Sequence, residues 1–415
     1  MQTIYQRVAG LDLHLKTIVA CVRVIHDSGK VKEEVRTFGT MTDDVLKLLD
    51  WLTVAGATHV AMESTGVLWK PIWNLLEASD LQLLLVNARE LKQVPGRKTD
   101  VRDCQWIAQL LACGLLKSSF VPAPPQRELR DLTRHRTQLL GERTRCANRI
   151  HKVLQDANIK LSSVASDILG VSGREMLAAL LRGEDGPEAI AELARGKLRK
   201  KLPDLKRALA GRLTPHHQFM LEQLLDHLVQ LERQISRFDE RIAEALRPFV
   251  DEATFERLDA IPGVNRPTIE CIVAEIGVNM NQFPSAEHLA SWAGICPGNE
   301  ESAGKRKRGR TTKGNVWLRR ALAECGWAAG RTKHSYLGAQ YRRLAARRGR
   351  KRAVLAVGHS ILTVIYHLLK DPTIAYQDLG EDYFAKLDPI RLRRHLVKRL
   401  ESLGYKVNLT LKEVA

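Results

Sequence analysis

Apolar residues in the first 90 positions recur with two different periods. Five short stretches alternate or run apolar with the period of a strand, and two longer stretches follow a helical period. The predicted elements, in order, are strands from Arg7 to Asp12, Thr17 to Val24 and Val31 to Phe38, a helix from Asp43 to Ala55, a strand from Thr58 to Glu63, a helix from Leu68 to Ser79 and a strand from Leu81 to Val86. This order predicts an α/β domain with a mixed sheet that helices cover on both faces.

The middle of the chain has only helical periodicity. Three prolines between Pro122 and Pro125 precede a long helical stretch from Glu128 to Asp156. Further on, apolar residues alternate at spacings of three and four: Leu221, Leu224, Leu228, Leu231, Ile235, Phe238, Ile242 and Ala245. Such a seam predicts a coiled coil, either within the chain against Glu128 to Asp156 or between protomers.

The remainder is also mainly helical, and Ala353 to Lys370 is an apolar helix that Asp371 and Pro372 end. The fold class is therefore α/β followed by mainly α. We expect four segments, namely residues 1–123, 124–252, 253–370 and a basic tail 371–415 that includes a helix from Ile390 to Leu403 to which no role is assigned.

Composition limits the classes of protein to consider. The chain of 415 residues is 44% hydrophobic and 27% charged, which is typical of a globular protein with two or three domains. It contains no run of about 18 apolar residues and no signal-peptide core, so we expect a cytoplasmic protein without a membrane partner. Seven cysteines without a Cys-x-x-Cys pair argue against a disulfide framework and a structural zinc site.

Positive charge is concentrated in one window. The net charge is +18, and the stretch from Ser302 to Arg352 holds seventeen lysines and arginines against the single acid Glu324. A solvated surface is the ordinary explanation of a charge run, but a block this long needs phosphates as counter-charge. The window predicts binding to nucleic acid, which would concentrate the chain at the nucleoid when it acts.

Four carboxylates are candidates for one metal site. Asp12 and Glu63 end the first and fourth strands, and Asp100 and Asp103 are three residues apart on one face of the next helix. A pair of acids in a first helical turn is often explained by the helix dipole. Four converging carboxylates instead require cations, and two Mg²⁺ ions roughly 3.5–4 Å apart are the arrangement that grips a phosphodiester.

These motifs resemble a known family. Gly10-Leu11-Asp12, Met62-Glu63-Ser64-Thr65-Gly66 and Lys98-Thr99-Asp100-x-x-Asp103 are similar to the RuvC-like, ribonuclease H-fold domain of the IS110 family of insertion-sequence transposases, in its IS1111-like group. The resemblance implies that Asp12, Glu63, Asp100 and Asp103 are its metal-binding DEDD tetrad. An actin-like or sugar-kinase fold also opens with a strand and Gly-x-Asp, but it would need further glycine-rich phosphate loops that this chain lacks.

A second motif precedes the basic window. The stretch from Leu258 to Thr268, with Ile261-Pro262-Gly263 at its centre, predicts a helix–hairpin–helix in which Gly263 presents backbone N–H groups to a phosphate. Asn265 stands where such hairpins have glycine, and asparagine tolerates the left-handed backbone. A plain tight turn between core helices is the alternative.

The basic window also holds a candidate nucleophile. Glu301-Ser302-Ala303-Gly304-Lys305 resembles the loop of the family's C-terminal domain, where a serine attacks DNA, and Ser302 is the matching position. Around it, the cations that would bind phosphates are Lys305, Arg306, Lys307, Arg308, Arg310 and Lys313. Ser291 is the competing serine, but its apolar surroundings suggest packing.

Together these observations predict a DNA transposase or site-specific recombinase that uses Mg²⁺ and a phosphoserine intermediate. The resemblance implies three partners: the DNA of the element ends and target, a guide non-coding RNA, and further copies in a dimer or tetramer. A metal-dependent nuclease or Holliday-junction resolvase that uses water is the alternative enzyme. A non-enzymatic nucleic-acid-binding protein is the third class. The two halves of the site lie about 200 residues apart, which leaves open whether one protomer supplies both.

Overall fold

The structure is a computed structural model. It describes residues 3–64, 66–87, 91, 103–183, 186–296, 301–302, 305–306, 311, 314–387 and 389–410, with only the backbone of residues 301, 302, 305, 306, 391 and 395. The described chain divides into two compact units, Met1–Pro122 and Ala123–Ala415. The divisions expected near residues 252 and 370 fall inside the second unit.

A five-stranded mixed sheet forms the centre of the N-terminal unit. Its strands are β1 (Arg7–Leu13), β2 (Thr17–Ile25), β3 (Val31–Gly39), β4 (His59–Glu63) and β5 (Gln82–Val86). The order across the sheet is β3-β2-β1-β4-β5; β2 is antiparallel to β1 and β3, whereas β4 and β5 run parallel to β1. The predicted mixed sheet is confirmed.

Helices cover both faces of this sheet, as the strand alternation requires. The helices are α1 (Thr42–Val54), α2 (Trp69–Leu76) and α3 (Asp103–Ala112). Ala9, Leu11 and Leu13 of β1 pack in the core with α1 and α2. Val8 of the same strand packs instead with α3, because successive side chains point to opposite faces.

Glycine 10 allows α3 to approach β1 backbone to backbone. A Cβ atom on Gly10 would lie 2.2 Å from the carbonyl oxygen of Cys104 and 2.6 Å from the amide nitrogen of Ala108. Neither backbone atom can move without moving the helix. Because Gly10 is two residues from Asp12, its missing side chain sets how closely the start of α3 approaches the end of β1.

Two long helices form an antiparallel hairpin in the second unit: α4 (Pro124–Asp156) and α9 (Pro215–Leu246). Arg136 pairs with Asp239 at one end, Arg143 with Glu232 further along, and Cys146 donates to the carbonyl oxygen of Leu224 beyond that. The apolar seam lies in this intrachain contact, where Leu221, Leu228 and Leu231 are buried beside residues of α4. Of the two arrangements, the one within the chain is present for these residues, because α4 supplies the partner surface; oligomer formation stays a prediction.

Residues 157–214 form a small helical cap at the tip of the hairpin. Its elements are α5 (Leu161–Val164), α6 (Val171–Arg182), α7 (Pro187–Glu192), a 3₁₀ helix (Gly196–Lys201) and α8 (Leu202–Leu209). Ile159, Met176, Ile190 and Leu205 are each at most 2% exposed and belong to the same core as the hairpin. The cap is therefore a packed continuation of the hairpin.

Further helices complete the second unit: α10 (Glu252–Asp259), α11 (Arg266–Ile276), a 3₁₀ helix (Met280–Gln282), α12 (Ala286–Trp292), α13 (Val316–Arg331), α14 (Tyr336–Arg348) and α15 (Arg350–Lys370), with short strands β6 (Glu301–Ser302) and β7 (Lys305–Arg306). The predicted apolar helix is confirmed as α15. It is long and apolar enough to span a membrane by length and composition, but half of that stretch is buried within the protein. Val357, Ile361 and Ile365 are at most 1% exposed, as in a core helix.

A fully buried carboxylate joins three helices of this unit. Glu275, near the end of α11, is 0% exposed. Arg134 of α4 donates to both of its oxygens at 2.7 and 2.8 Å, and Asn315 donates to Oε2 at 2.6 Å. Arg130 adds a guanidinium nitrogen 3.4 Å from the same oxygen, and burial lowers the pKa of Arg130 to about 10, so it is still a cation at neutral pH. The network fixes α4, α11 and the start of α13 against one another.

The stretch from 295 to 314 is closed at its base by backbone contact. A Cβ atom on Gly314 would lie 2.3 Å from the amide nitrogen of Gly294, so the two ends of the loop touch. Asn315 follows directly and caps α13 by accepting from the amides of Trp317 and Leu318. The loop is therefore anchored at its base to the Glu275 network.

The tail contacts α14 through aromatic rings. Two short helices follow α15, namely α16 (Tyr383–Leu387) and α17 (Pro389–Glu401). Tyr336 lies with its ring centroid 5.1 Å from Tyr383 and 5.3 Å from Phe384, and Arg343 lies over the Phe384 ring. The segment before α17 is thereby held on the body of the second unit.

We expect Gly10→Ala to destabilise the N-terminal unit by roughly 1–3 kcal/mol, because the added methyl group must displace the α3 backbone. Urea unfolding followed by circular dichroism measures the loss. Gly141→Ala is the control, since a Cβ there meets only the end of the Arg145 side chain at 3.5 Å within a helix. Equal stability of Gly10→Ala and wild type would refute the close-packing argument.

We expect Asn315→Asp to destabilise the second unit more than Asn315→Ser. Both new residues are good N-caps, but serine only removes the hydrogen bond to Glu275, a loss of about 1.5–3 kcal/mol for a bond to a charged group. Aspartate places a second carboxylate against a buried one. Urea midpoints of the two variants test this order, and a more stable aspartate variant would contradict it.

Candidate active site

Three of the four predicted carboxylates lie at one end of the sheet in the N-terminal unit. Asp12 is near the end of β1, Glu63 ends the neighbouring parallel strand β4, and Asp103 begins α3. The parallel register pairs Leu11 with Met62, so the next residues along each strand, Asp12 and Glu63, lie side by side. Side chains two residues apart on a strand point to the same face, and Val8 of β1 and Ala61 of β4 pack against α3. Asp12 and Glu63 therefore lie on the face of the sheet that α3 covers. The sheet and helix therefore bring these three side chains to one face.

The electrostatics of Asp12 reflect this arrangement. Partial burial raises the pKa of the Asp12 carboxyl, and the negative charges of Asp103 and Glu63 raise it further. His14 acts in the opposite direction, because its Nε2 lies 3.3 Å from Asp12 Oδ2 and lowers that pKa. Carboxylates that sense one another's charge in this way are suited to share a cation.

The predicted metal site is tested only in part. Among the residues that the structure describes, no group of three or more histidine, cysteine or carboxylate side chains is arranged to hold a metal ion. Asp100 lies outside the described residues. The three carboxylates that are described share one face and have the oxygen chemistry that a hard cation prefers.

Ser302 lies in a short hairpin in the second unit. Strands β6 and β7 are antiparallel, with Glu301 opposite Arg306 and Ser302 opposite Lys305. Their side chains, and all of Lys307, Arg308, Arg310 and Lys313, lie outside what the structure describes. Thr311 further along the loop accepts a hydrogen bond at 2.8 Å from Arg319 of α13. The backbone thus places the candidate serine directly opposite the first of the predicted cations.

The turn around Gly263 differs from the predicted hairpin in its backbone. Asn265 is extended, with φ −146°, and caps α11 by accepting from the amide of Thr268; the expected left-handed conformation was wrong. Gly263 is the left-handed residue, at φ +87°, and a Cβ there would lie 2.5 Å from backbone atoms of Cys325 and Ala329 in α13. The glycine is therefore required by packing, and its contact with nucleic acid stays a prediction.

Ser291 is not excluded by packing. Its neighbours Leu289, Ala290 and Ala293 are fully buried, but Ser291 itself is on the exposed side of α12. The expectation that its apolar surroundings bury it was wrong, because the helix turns its serine to the opposite side. Ser291 is therefore a useful comparison for Ser302.

The structure adds residues that the sequence did not indicate. His14 contacts Asp12 across the turn between β1 and β2, and Glu275 and Asn315 anchor the base of the loop that contains Ser302. Asparagine directly before an apolar helix is a recognisable capping signal. No local pattern indicates that Glu275 is buried. Nor does any indicate that Arg134 and Arg130 bind it, because they precede it by 141 and 145 residues.

Two family models match the chain. A DEDD transposase model of the IS110 type matches residues 9–159, which include the four carboxylates. The model described as Transposase IS116/IS110/IS902 family matches residues 255–342, which include Ser302 and the basic loop. A DEDD domain of this type implies the use of a divalent metal in general terms.

Proteins from three bacteria are similar over part of their length. A probable family 20 transposase of Pseudomonas aeruginosa is 25% identical over 63% of this chain and 68% of its own. The transposase for insertion sequence element IS1328 of Yersinia enterocolitica is 24% identical over 56% of this chain and 59% of its own. An uncharacterized 44.8 kDa protein of insertion element IS116 from Streptomyces clavuligerus is 26% identical over 52% and 60%. The chain thus spans about three fifths of two of these relatives.

Both family models describe one family, and together they match more than half of the chain in the order carboxylate domain, then serine domain. The chain belongs to the IS110 family of insertion-sequence transposases.

Proposed function

We propose that this transposase is a site-specific DNA recombinase that cleaves and exchanges strands through a phosphoserine intermediate in the presence of Mg²⁺. The observation that carries the proposal is the gathering of Asp12, Glu63 and Asp103 on one face of a β3-β2-β1-β4-β5 sheet. That strand order supports a ribonuclease H-like fold of the RuvC type. Asp100 is the proposed fourth ligand of a pair of Mg²⁺ ions.

In the proposed chemistry, a phosphodiester bond in DNA is exchanged for a bond to serine and is then formed again with another strand. The Ser302 hydroxyl oxygen bonds to phosphorus and its proton passes to a base. The bond from phosphorus to one sugar oxygen breaks, and that oxygen takes up a proton and leaves as a hydroxyl. A hydroxyl from the exchanged strand then attacks the phosphoserine and restores the serine. Bound Mg²⁺ would stabilise the charge on the phosphoryl oxygens, and the tetrad carboxylates would hold it there.

The basic loop supplies the counter-charge for this reaction. Lys305 lies opposite Ser302 in the hairpin, and Arg306 follows on the same strand. Together with Lys307, Arg308, Arg310 and Lys313, these cations are proposed to bind the phosphates that flank the cleaved bond. A guide RNA and oligomer formation are proposed from the family resemblance, and the α4–α9 seam is already occupied within the chain.

One observation favours a second function. The described carboxylates gather within the N-terminal unit, whereas Ser302 belongs to the other unit. A metal-dependent nuclease or junction resolvase would need only the carboxylates and an activated water. The serine experiment below separates the two functions.

We expect Asp12→Asn, Glu63→Gln, Asp100→Asn and Asp103→Asn each to abolish recombination, because an amide is a far weaker ligand for Mg²⁺ than a carboxylate. Binding to duplex DNA in a mobility-shift assay should stay within about twofold, since the tetrad makes no base contacts in this proposal. Asp50→Asn, at an exposed position on α1, is the matched control. Full recombination by Asp12→Asn in Mg²⁺ would exclude the metal-site assignment.

We expect Ser302→Ala to lose all strand exchange, because a methyl group cannot attack phosphorus. In wild type, labelled DNA should migrate with the protein on a denaturing gel, and Ser302→Ala should lack that band. Ser291→Ala, which removes the competing exposed serine, should keep it. The alternative outcome is free cut ends without an adduct, an active Ser302→Ala variant and inactive tetrad variants. That result would refute the recombinase assignment and favour the resolvase.

A further inference from the structure

We propose that the cap at the tip of the α4–α9 hairpin is a second binding surface for duplex DNA, separate from the basic loop around Ser302. Residues 195–212 carry eight cations against one acid, Asp204: Arg195, Lys197, Arg199, Lys200, Lys201, Lys206, Arg207 and Arg212. All but Lys206 are exposed. This block lies outside the window from Ser302 to Arg352.

Ion pairs within the chain neutralise only part of this charge. Arg195 pairs with Glu175, and Glu192 lies within 4 Å of both Arg199 and Lys206. Among the described residues, no carboxylate forms an ion pair with the other exposed cations of the block. Those five are Lys197, Lys200, Lys201, Arg207 and Arg212. Unpaired cations on a folded surface attract phosphates and release counter-ions when phosphates bind.

The cap presents its cations around two concave sites. One site, of about 460 Å³, is lined by Lys160, Ser163, Lys201 and Arg207, with Asp204 as its single acid. A neighbouring site, of about 470 Å³, is lined by Arg195, Lys197 and Lys201 together with Ser166 and Ser172, and Asp167 is its single acid. Cations accompanied by hydroxyl groups are the side chains that contact sugar–phosphate backbones. Lys201 contributes to both sites, which makes the surface continuous.

The chemistry of the cap favours a duplex over a single strand. Residues 157–213 contain no phenylalanine, tyrosine, tryptophan or histidine. Proteins that bind single-stranded nucleic acid use aromatic rings on which unpaired bases stack. A surface of lysine, arginine and serine can instead follow a paired backbone irrespective of its sequence. Since the chain is a transposase, duplex DNA is the partner that we assign to it.

Helix α4 runs from the anchor of the Ser302 loop to the cap. Arg134 is bound to Glu275, which anchors the base of the Ser302 loop through Asn315, and the helix ends at Asp156 beside the cap. At 1.5 Å per residue, these positions are roughly 33 Å apart. One turn of B-form DNA is about 34–36 Å, so this part of α4 is about as long as one turn of a duplex.

The test compares two triple variants in the full-length protein. The cap variant carries Lys197→Gln, Lys200→Gln and Arg207→Gln. The control carries Lys152→Gln, Arg233→Gln and Arg237→Gln, which removes the same charge from exposed positions along the hairpin. Binding to a mixed-sequence DNA duplex of about 40 base pairs is measured by fluorescence anisotropy as a function of salt, with an RNA duplex of equal length in parallel.

We expect the cap variant to bind the DNA duplex more weakly and to lose up to roughly 2.7 from the salt slope, or about 0.9 for each lost phosphate contact. The control should keep the wild-type slope. An unchanged slope in the cap variant, an equal loss in the control, or a loss seen with RNA duplex alone would each overturn the proposal. The assay measures DNA binding and not cleavage. Its result can therefore be interpreted even if Ser302 proves not to be the nucleophile.

Discussion

The second unit depends on keeping one buried negative charge satisfied. Glu275 has no contact with water, and its carboxylate is stabilised by Arg134, Arg130 and the Asn315 amide. Leaving such a charge without its partners costs about 3–5 kcal/mol, so the helices that carry those partners have little freedom to move apart. A second buried pair, Arg136 with Glu270, joins α4 and α11 one turn away. The base of the serine loop is therefore joined to a buried charged network as well as closed by backbone packing.

In the N-terminal unit, close backbone packing and not a buried charge positions the proposed reactive groups. Here the absence of a side chain at Gly10 allows the α3 backbone to contact β1, and this contact brings Asp103 towards Asp12. In both units, groups that take no part in the proposed chemistry determine where the reactive groups lie. His14 touches the proposed ligand Asp12 directly.

The pattern of the first 90 residues was enough to predict the five strands, because every strand except the largely exposed β3 is apolar on a face that a helix covers. Asp12 and Glu63 could be placed side by side on the same argument. The heptad seam predicted a partner helix but not which chain supplies it, since both arrangements bury the same leucines. Glu275 could not be predicted as a buried residue, because its arginines are far away in sequence. Gly263 was identified as a special residue, but its packing against α13 depends on the tertiary fold.

The sequence distance between Arg134 and Glu275 has a consequence for how the protein folds during synthesis. The strands and α3 of the N-terminal unit are complete within the first 112 residues, so this unit can fold while the rest is still being translated. Helix α4 emerges next, but the carboxylate for its arginines follows 141 residues later. Arg130 and Arg134 therefore lack their Glu275 partner until α11 has been made. Slow translation between residues 157 and 275 would prolong this interval, in which polyanions compete with Glu275 for the same arginines.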